Sequence, residues 1–128
     1  MALLVPNLGE VEILTRSLNP ALGDKLHLFT NDATPLEATV LAGLTECDVA
    51  GYAATTLSAP TVATVGDVTT ATYSQQTFTF TAATTVYGYY LTDNGGTKLL
   101  WAERFTDGPY RIPSGGGEIK VTPKIAVD

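Results

Sequence analysis

The residues that could act on a substrate are few in this 128-residue chain, and their spacing keeps them apart. Glycoside hydrolysis needs two carboxylates facing each other across a cleft. Glu103 is the one acid beside the aromatic stretch Val86–Phe105, while Asp93 and Asp107 fall in turns. His27 and Cys47 are the only histidine and cysteine, which leaves few ingredients for a Ser-His relay or a zinc site. His27 alternates with Leu26 and Leu28, so an exposed ring pointing away from the core is expected. Thr45-Glu46-Cys47-Asp48 sets two carboxylates around a thiol, but adjacent side chains diverge instead of converging on one ion. A solvated loop is expected there. Ser114-Gly-Gly-Gly117 is followed by Glu118-Ile-Lys-Val, without the helix start or lysine of a phosphate cradle, and is expected to be a flexible turn. The expectation is a non-enzymatic protein with no catalytic residue, cofactor or metal.

The elements that would hold these groups are short strands. Thr is the commonest residue, with 21 copies, and it alternates with apolar residues between 12 Gly and 7 Pro that act as punctuation. Aromatic residues interrupt the Thr/Ala-rich middle too regularly for a disordered linker. Strands are predicted at Lys25–Thr30, Tyr52–Leu57, Pro60–Val65, Thr69–Tyr73, Gln76–Thr81, the two arms of Val86–Phe105, Tyr110–Pro113 and Glu118–Val127. About eight strands at spacings of roughly ten residues predict an all-β fold, a β-sandwich of jelly-roll type. Within Gln76–Thr81, alternation sends Phe78 and Phe80 to the core and threonines to solvent or a partner.

One helix precedes the strands. Asn7 is placed to cap it, with Glu10 three residues on; Glu10 and Glu12 suit the first turns and Arg16 the last. Leu4, Leu8, Val11, Leu14 or Thr15, and Leu18 form its apolar stripe over Leu8–Leu18, and Asn19-Pro20 closes it. A single domain, 1–128, is expected, with an N-terminal arm and helix at 1–20 and a β core at 24–127. The helix either covers an open edge or end of that core or docks on a neighbouring subunit.

Seven basic against thirteen acidic residues give a net charge of −6, which disfavours direct nucleic-acid binding. No stretch has the length of a membrane span, and the apolar run Met1–Pro6 is too short for a secretory signal. Assembly in a cytoplasm is expected.

Val86–Phe105 holds the only tryptophan and three of the six tyrosines, folded back at Asn94-Gly95. A two-residue turn would set Gly88 opposite Trp101. A five-residue loop, Asp93 to Thr97, groups Tyr87, Tyr89 and Leu91 with Leu99, Trp101 and Phe105, and separates polar from apolar better. Trp101, Tyr89, Leu99, Phe78 and Phe80 are then the core anchors. The competing expectation is a carbohydrate- or receptor-binding module, with Tyr73, Tyr87, Tyr90, Trp101 and Tyr110 as an exposed platform.

Gly51-Tyr-Ala, Gly88–Phe105 and Val121-Thr-Pro-Lys-Ile125, with Pro6-Asn-Leu-Gly-Glu10 and Leu26–Thr30, resemble small structural proteins of tailed bacteriophages. The resemblance implies a virion component: a capsid decoration (cement) protein, or a domain attached to head or tail. Its implied partners are the major capsid protein or a tail or head component, together with copies of itself, a trimer being the first expectation. Leu3, Leu4, Leu8 and Val11 are the candidate partner contacts, with the Thr-faced strands. The stretch Thr55–Thr85 departs most from the pattern.

Overall fold

In the computed structural model, which describes residues 5–127, one α-helix is followed by eleven short strands in antiparallel sheets. Helix α1 spans Asn7–Ser17. The strands are β1 (Lys25–Phe29), β2 (Thr55–Thr56), β3 (Thr61–Val65), β4 (Val68–Thr72), β5 (Gln76–Phe80) and β6 (Thr84–Val86). Then come β7 (Gly88–Thr92), β8 (Leu99–Arg104), β9 (Tyr110–Ile112), β10 (Gly117–Val121) and β11 (Lys124–Val127). They pair as a four-stranded sheet β2-β1-β7-β8, a three-stranded sheet β11-β4-β3, and the pairs β10-β5 and β6-β9.

The count exceeds eight because long ribbons bend and are divided at the bends. Pro123 has no N–H to give a ladder. The chain turns there, so β10 stays with β5 while β11 pairs with β4, and the Tyr73 N–H donates to the Pro123 carbonyl at 2.9 Å. The segment Ala82–Thr85, expected as a connection, contributes Thr84 and Thr85 to β6, which pairs with β9. Tyr87 separates β6 from β7, and the chain passes from one sheet to the next.

The main core joins Leu14 of α1 and Leu18, the residue that caps it, to Leu26, Leu28, Phe78, Phe80, Val86 and Leu91 of the strands. Each such side chain, fully buried, contributes roughly 1.5–3 kcal/mol. A smaller cluster on the other face of the four-stranded sheet is built on Phe29, Leu44 and Tyr90. Phe29 lies over Gly88: a Cβ there would meet the Phe29 ring at 2.5 Å and the Glu103 carbonyl oxygen at 2.1 Å. Only glycine fits that approach, and the ring covering it is Phe29, not Trp101.

The hairpin departs from the expected grouping at two residues, Leu99 and Tyr87. Its loop is an Asp93–Gly96 turn, and the Asp93 carboxylate accepts from the Thr97 and Lys98 amides at 2.8 and 2.9 Å. Leu91 pairs with Trp101 and Tyr89 with Glu103, so these share a face with Phe105 as expected. A register shift at Leu91/Thr92 then places Leu99 opposite Thr92. That slip turns Leu99 to the second cluster, where Tyr87 also packs.

Candidate interaction surface

Helix α1 lies across β3 and β4. Pro6 is its cap residue, and Asn7, expected to cap, sits inside the first turn and donates from Nδ2 to the Gly66 carbonyl at 3.3 Å. Glu10, Leu14 and Leu18 form the buried line. The stripe is therefore rotated from the expected one. Glu10 turns inward because the sheet beneath it offers hydroxyls: the buried Thr69 Oγ1 donates to its carboxylate at 2.7 Å and lies 2.8 Å from Thr64 Oγ1. A paired carboxylate can be buried where a bare one would pay a desolvation penalty.

That rotation leaves Leu8 83% exposed and Val11 half-buried. Val11, Thr15 and Leu18 line a groove of about 480 Å³ with Pro20, Ala59, Pro60 and Val62. Of the other two expected partner contacts, Leu3 and Leu4 lie outside the described residues. The far face of the same sheet carries Thr61, Ala63 and Val65 of β3, Val68, Thr70 and Thr72 of β4, and Lys124 and Ala126 of β11. Among the described residues Lys124 is the only charge on it, and Val65 is 82% exposed. On β5, Thr77 and Thr79 face solvent while Phe78 and Phe80 are buried, as the alternation requires.

His27 is buried, contrary to expectation. Strand β1 is central, with β7 on one side and β2 followed by the Thr45–Cys47 segment on the other. Its Nδ1 lies 2.6 Å from Glu46 Oε1 and its Nε2 2.8 Å from Thr92 Oγ1, with the ring stacked on Tyr90 at 4.8 Å. Tyr52 Oη donates to the same Glu46 oxygen and accepts from the Leu28 N–H. Hydroxyl, imidazole and carboxylate follow one another as in a nucleophilic triad. However, Thr92 is 1% exposed and its hydroxyl also donates to the Asp93 carbonyl, so a substrate has no path to it. The arrangement ties three segments together. In the loop at Thr45–Asp48, Thr45, Glu46 and Asp48 are exposed as expected, but the segment is pinned beside β1 and Cys47 is buried, its thiol pKa pushed up by burial.

The aromatic platform of the competing expectation is dispersed. Tyr73 and Tyr90 are each 3% exposed and belong to the core; burial pushes the Tyr73 phenol up to about 12. Tyr87 lies under the Arg104 guanidinium at 5.2 Å. Trp101 is half-buried against Tyr73, with its Nε1 buried and without a partner among the described residues. Of the other anchors, Phe78, Phe80 and Tyr89 are buried and Leu99 is half-buried. Phe105 and Tyr110 border a smaller groove of about 320 Å³ with Glu103 and Lys120. There the Tyr89 hydroxyl already donates to Glu103, and the Tyr110 hydroxyl to Asp107.

The sequence signal for Glu10 burial was absent, because a glutamate in a first turn reads as a dipole partner. The signal for Thr69 and Thr64 was present in the Thr-rich strands but could not be assigned to a face under a helix. No protein-family model, curated protein or solved structure matches this chain.

Proposed function

We propose that this chain is a structural component of a tailed-phage virion, a capsid decoration protein or a head- or tail-attached domain. It acts by covering surface and self-associating, not by chemistry. The observation that carries this reading is the outward face of β11-β4-β3: an extended area of Thr, Ala and Val with Lys124 as its one charge among the described residues, on a chain of net charge −6. Such a face suits docking through apolar and hydroxyl contact, and a stable interface requires about 1,200 Å² or more of total buried surface. The resemblance at Gly88–Phe105 and Val121–Ile125 supplies the virion context. The jelly-roll sandwich belongs to the same proposal, supported by the long antiparallel ribbons that bend at Tyr87 and Pro123 from one sheet to another.

The test is co-sedimentation of the purified protein with phage shells and tails that lack it. Saturable binding to one of them, lost when Val65 and Val68 are both changed to Glu, is the expected result. Binding to neither particle at saturating protein would overturn the reading.

A further inference from the structure

The three-stranded sheet ends in an edge that is built differently from the others. At the ends of the two larger sheets, β8 carries Glu103 and Arg104, β11 carries Lys124, and β2 is two residues long. These are the devices that blunt a sheet edge against pairing. Strand β3, Thr61-Val-Ala-Thr-Val65, has five residues and no charge, and among the described residues it pairs only with β4.

The hairpin fixes which backbone groups that edge offers. Gly66, with φ 63°, is the first residue of a two-residue turn closed by Val65 and Val68, the glycine position of a type II′ turn. The closing pair of such a hairpin exchanges both backbone bonds, and bonded and unbonded pairs then alternate. The Ala63 and Thr61 backbones therefore face β4, and those of Val62 and Thr64 face outward. The short Thr64–Thr69 side-chain contact, at 2.8 Å, agrees with an unbonded pair, where side chains approach most closely.

We propose that a second copy of this chain pairs with this edge, β3 against β3 about a two-fold axis at Ala63. In that register the outward groups of Val62 meet those of Thr64 of the second copy, and reciprocally. Every outward donor and acceptor of the two residues is then satisfied. The helix layer fits the same axis. Strands pair about 4.8 Å apart, so helices centred over each β3–β4 pair stand roughly 10 Å from one another. That is the upper end of the packing range for two helices, about 8–10 Å.

The flank of α1 turned toward the axis holds Leu8, Val11 and Thr15, and it is self-complementary. The first turn of α1 lies by Gly66, and its last turn lies by Pro60. The two-fold sets one helix antiparallel to the other. The exposed Leu8 of each copy then points toward the groove at Leu18, Pro20 and Pro60 of the other. An isologous contact of this kind needs one patch that is both knob and hole, and this flank has both. The inference stands on the edge and the helix flank, whether or not the virion reading holds.

Light scattering on the eluting full chain tests it. The expected mass is twice the 13.5 kDa of one chain. Ala63→Lys places two ammonium groups opposite each other at the axis, and Leu8→Asp removes the knob; both positions are exposed, so circular dichroism should show an unchanged fold. Each should weaken the dimer by about tenfold or more. Mixing Ala63→Lys with Ala63→Glu should restore a dimer, and Ile13→Lys, on the opposite flank of α1, should leave it intact. A monomer at millimolar chain concentration, a trimer, or a dimer indifferent to both Ala63→Lys and Leu8→Asp would overturn the proposal. So would a monomer that dimerises only when residues 1–4 are removed, since that chain's own N-terminus would then hold the edge.

Discussion

Gly88→Ala is the substitution that asks most of the hairpin. The added methyl would sit 2.1 Å from the Glu103 carbonyl oxygen and 2.5 and 2.6 Å from Cζ and Cε1 of Phe29. The oxygen is part of the β7–β8 ladder, and the Phe29 ring is fully buried, so neither can step aside without breaking other contacts. Overpacking a core typically costs about 1–3 kcal/mol and occasionally more. With one of the two obstacles a backbone atom, the upper end applies. The entropy lost by the unfolded chain on gaining a Cβ offsets only about 0.4–1 kcal/mol. The expected net loss is about 2–3 kcal/mol, which for a chain of this size lowers the melting temperature by roughly 6–15 °C. Thermal and urea melts followed by circular dichroism read it directly. Phe29→Leu in the same background should recover only part of the loss, because the Glu103 carbonyl remains. Gly115→Ala is the control: its Cβ would meet nothing within 4 Å, and its φ is not positive. That change should stay within about 0.5 kcal/mol. If Gly88→Ala melts within a degree of the parent, the close approach is wrong, and with it the pairing of Gly88 with Arg104.

Three further outcomes follow from polar groups, the buried His27 and Asp24 and the loop residue Asp93. His27→Leu removes one partner from each of Glu46 and Thr92 and should cost about 2 kcal/mol in urea titrations, with Thr92→Val in the same chain recovering part; additive losses would refute the link. Asp24 is buried and its carboxyl is held above the usual range, first by desolvation and then by the charge of Asp93. An acid raised in the folded state loses stability as pH climbs from its ordinary value through the raised one. Asp24→Asn should therefore raise the melting temperature at pH 7 and not at pH 3, and an equal gain at both would contradict the assignment. Asp93 has the opposite sign: the Lys98 amide foremost, then Thr97, holds its carboxylate below the usual range. Its contribution is present above pH 3.8 and fades as pH falls through the lowered folded value. Asp93→Asn should be less stable than the parent at pH 7, with faster amide exchange at Thr97 and Lys98, and the gap should close in acid. Unchanged exchange at both amides would show that the carboxylate does not hold the loop.

The amino-acid order alone determined the local elements. Alternation put Phe78 and Phe80 inside and Thr77 and Thr79 outside, since side chains in a strand repeat every two residues whatever lies beyond it. Asn19-Pro20 ended the helix, and the glycines after Asp93 made the loop, because these depend on backbone freedom within a few residues. Tertiary structure decided what each face met. His27 alternates like an exposed residue, yet the pattern cannot tell that β1 is covered on both faces, with Tyr90 stacked on the ring. Leu99 looked like a partner of Trp101 until one register slip in β8 turned it over, and such a slip leaves no trace in composition.

The candidate surface shows the same division. Leu8 and Val11 were legible as apolar positions on a helix, but their exposure was set by the threonine hydroxyls under Glu10, which rotate α1 and turn Leu8 outward. Sequence carries the apolar positions of one element. Which of them remain uncovered depends on the chemistry of the element it lies against, and that is known only once the two are in contact.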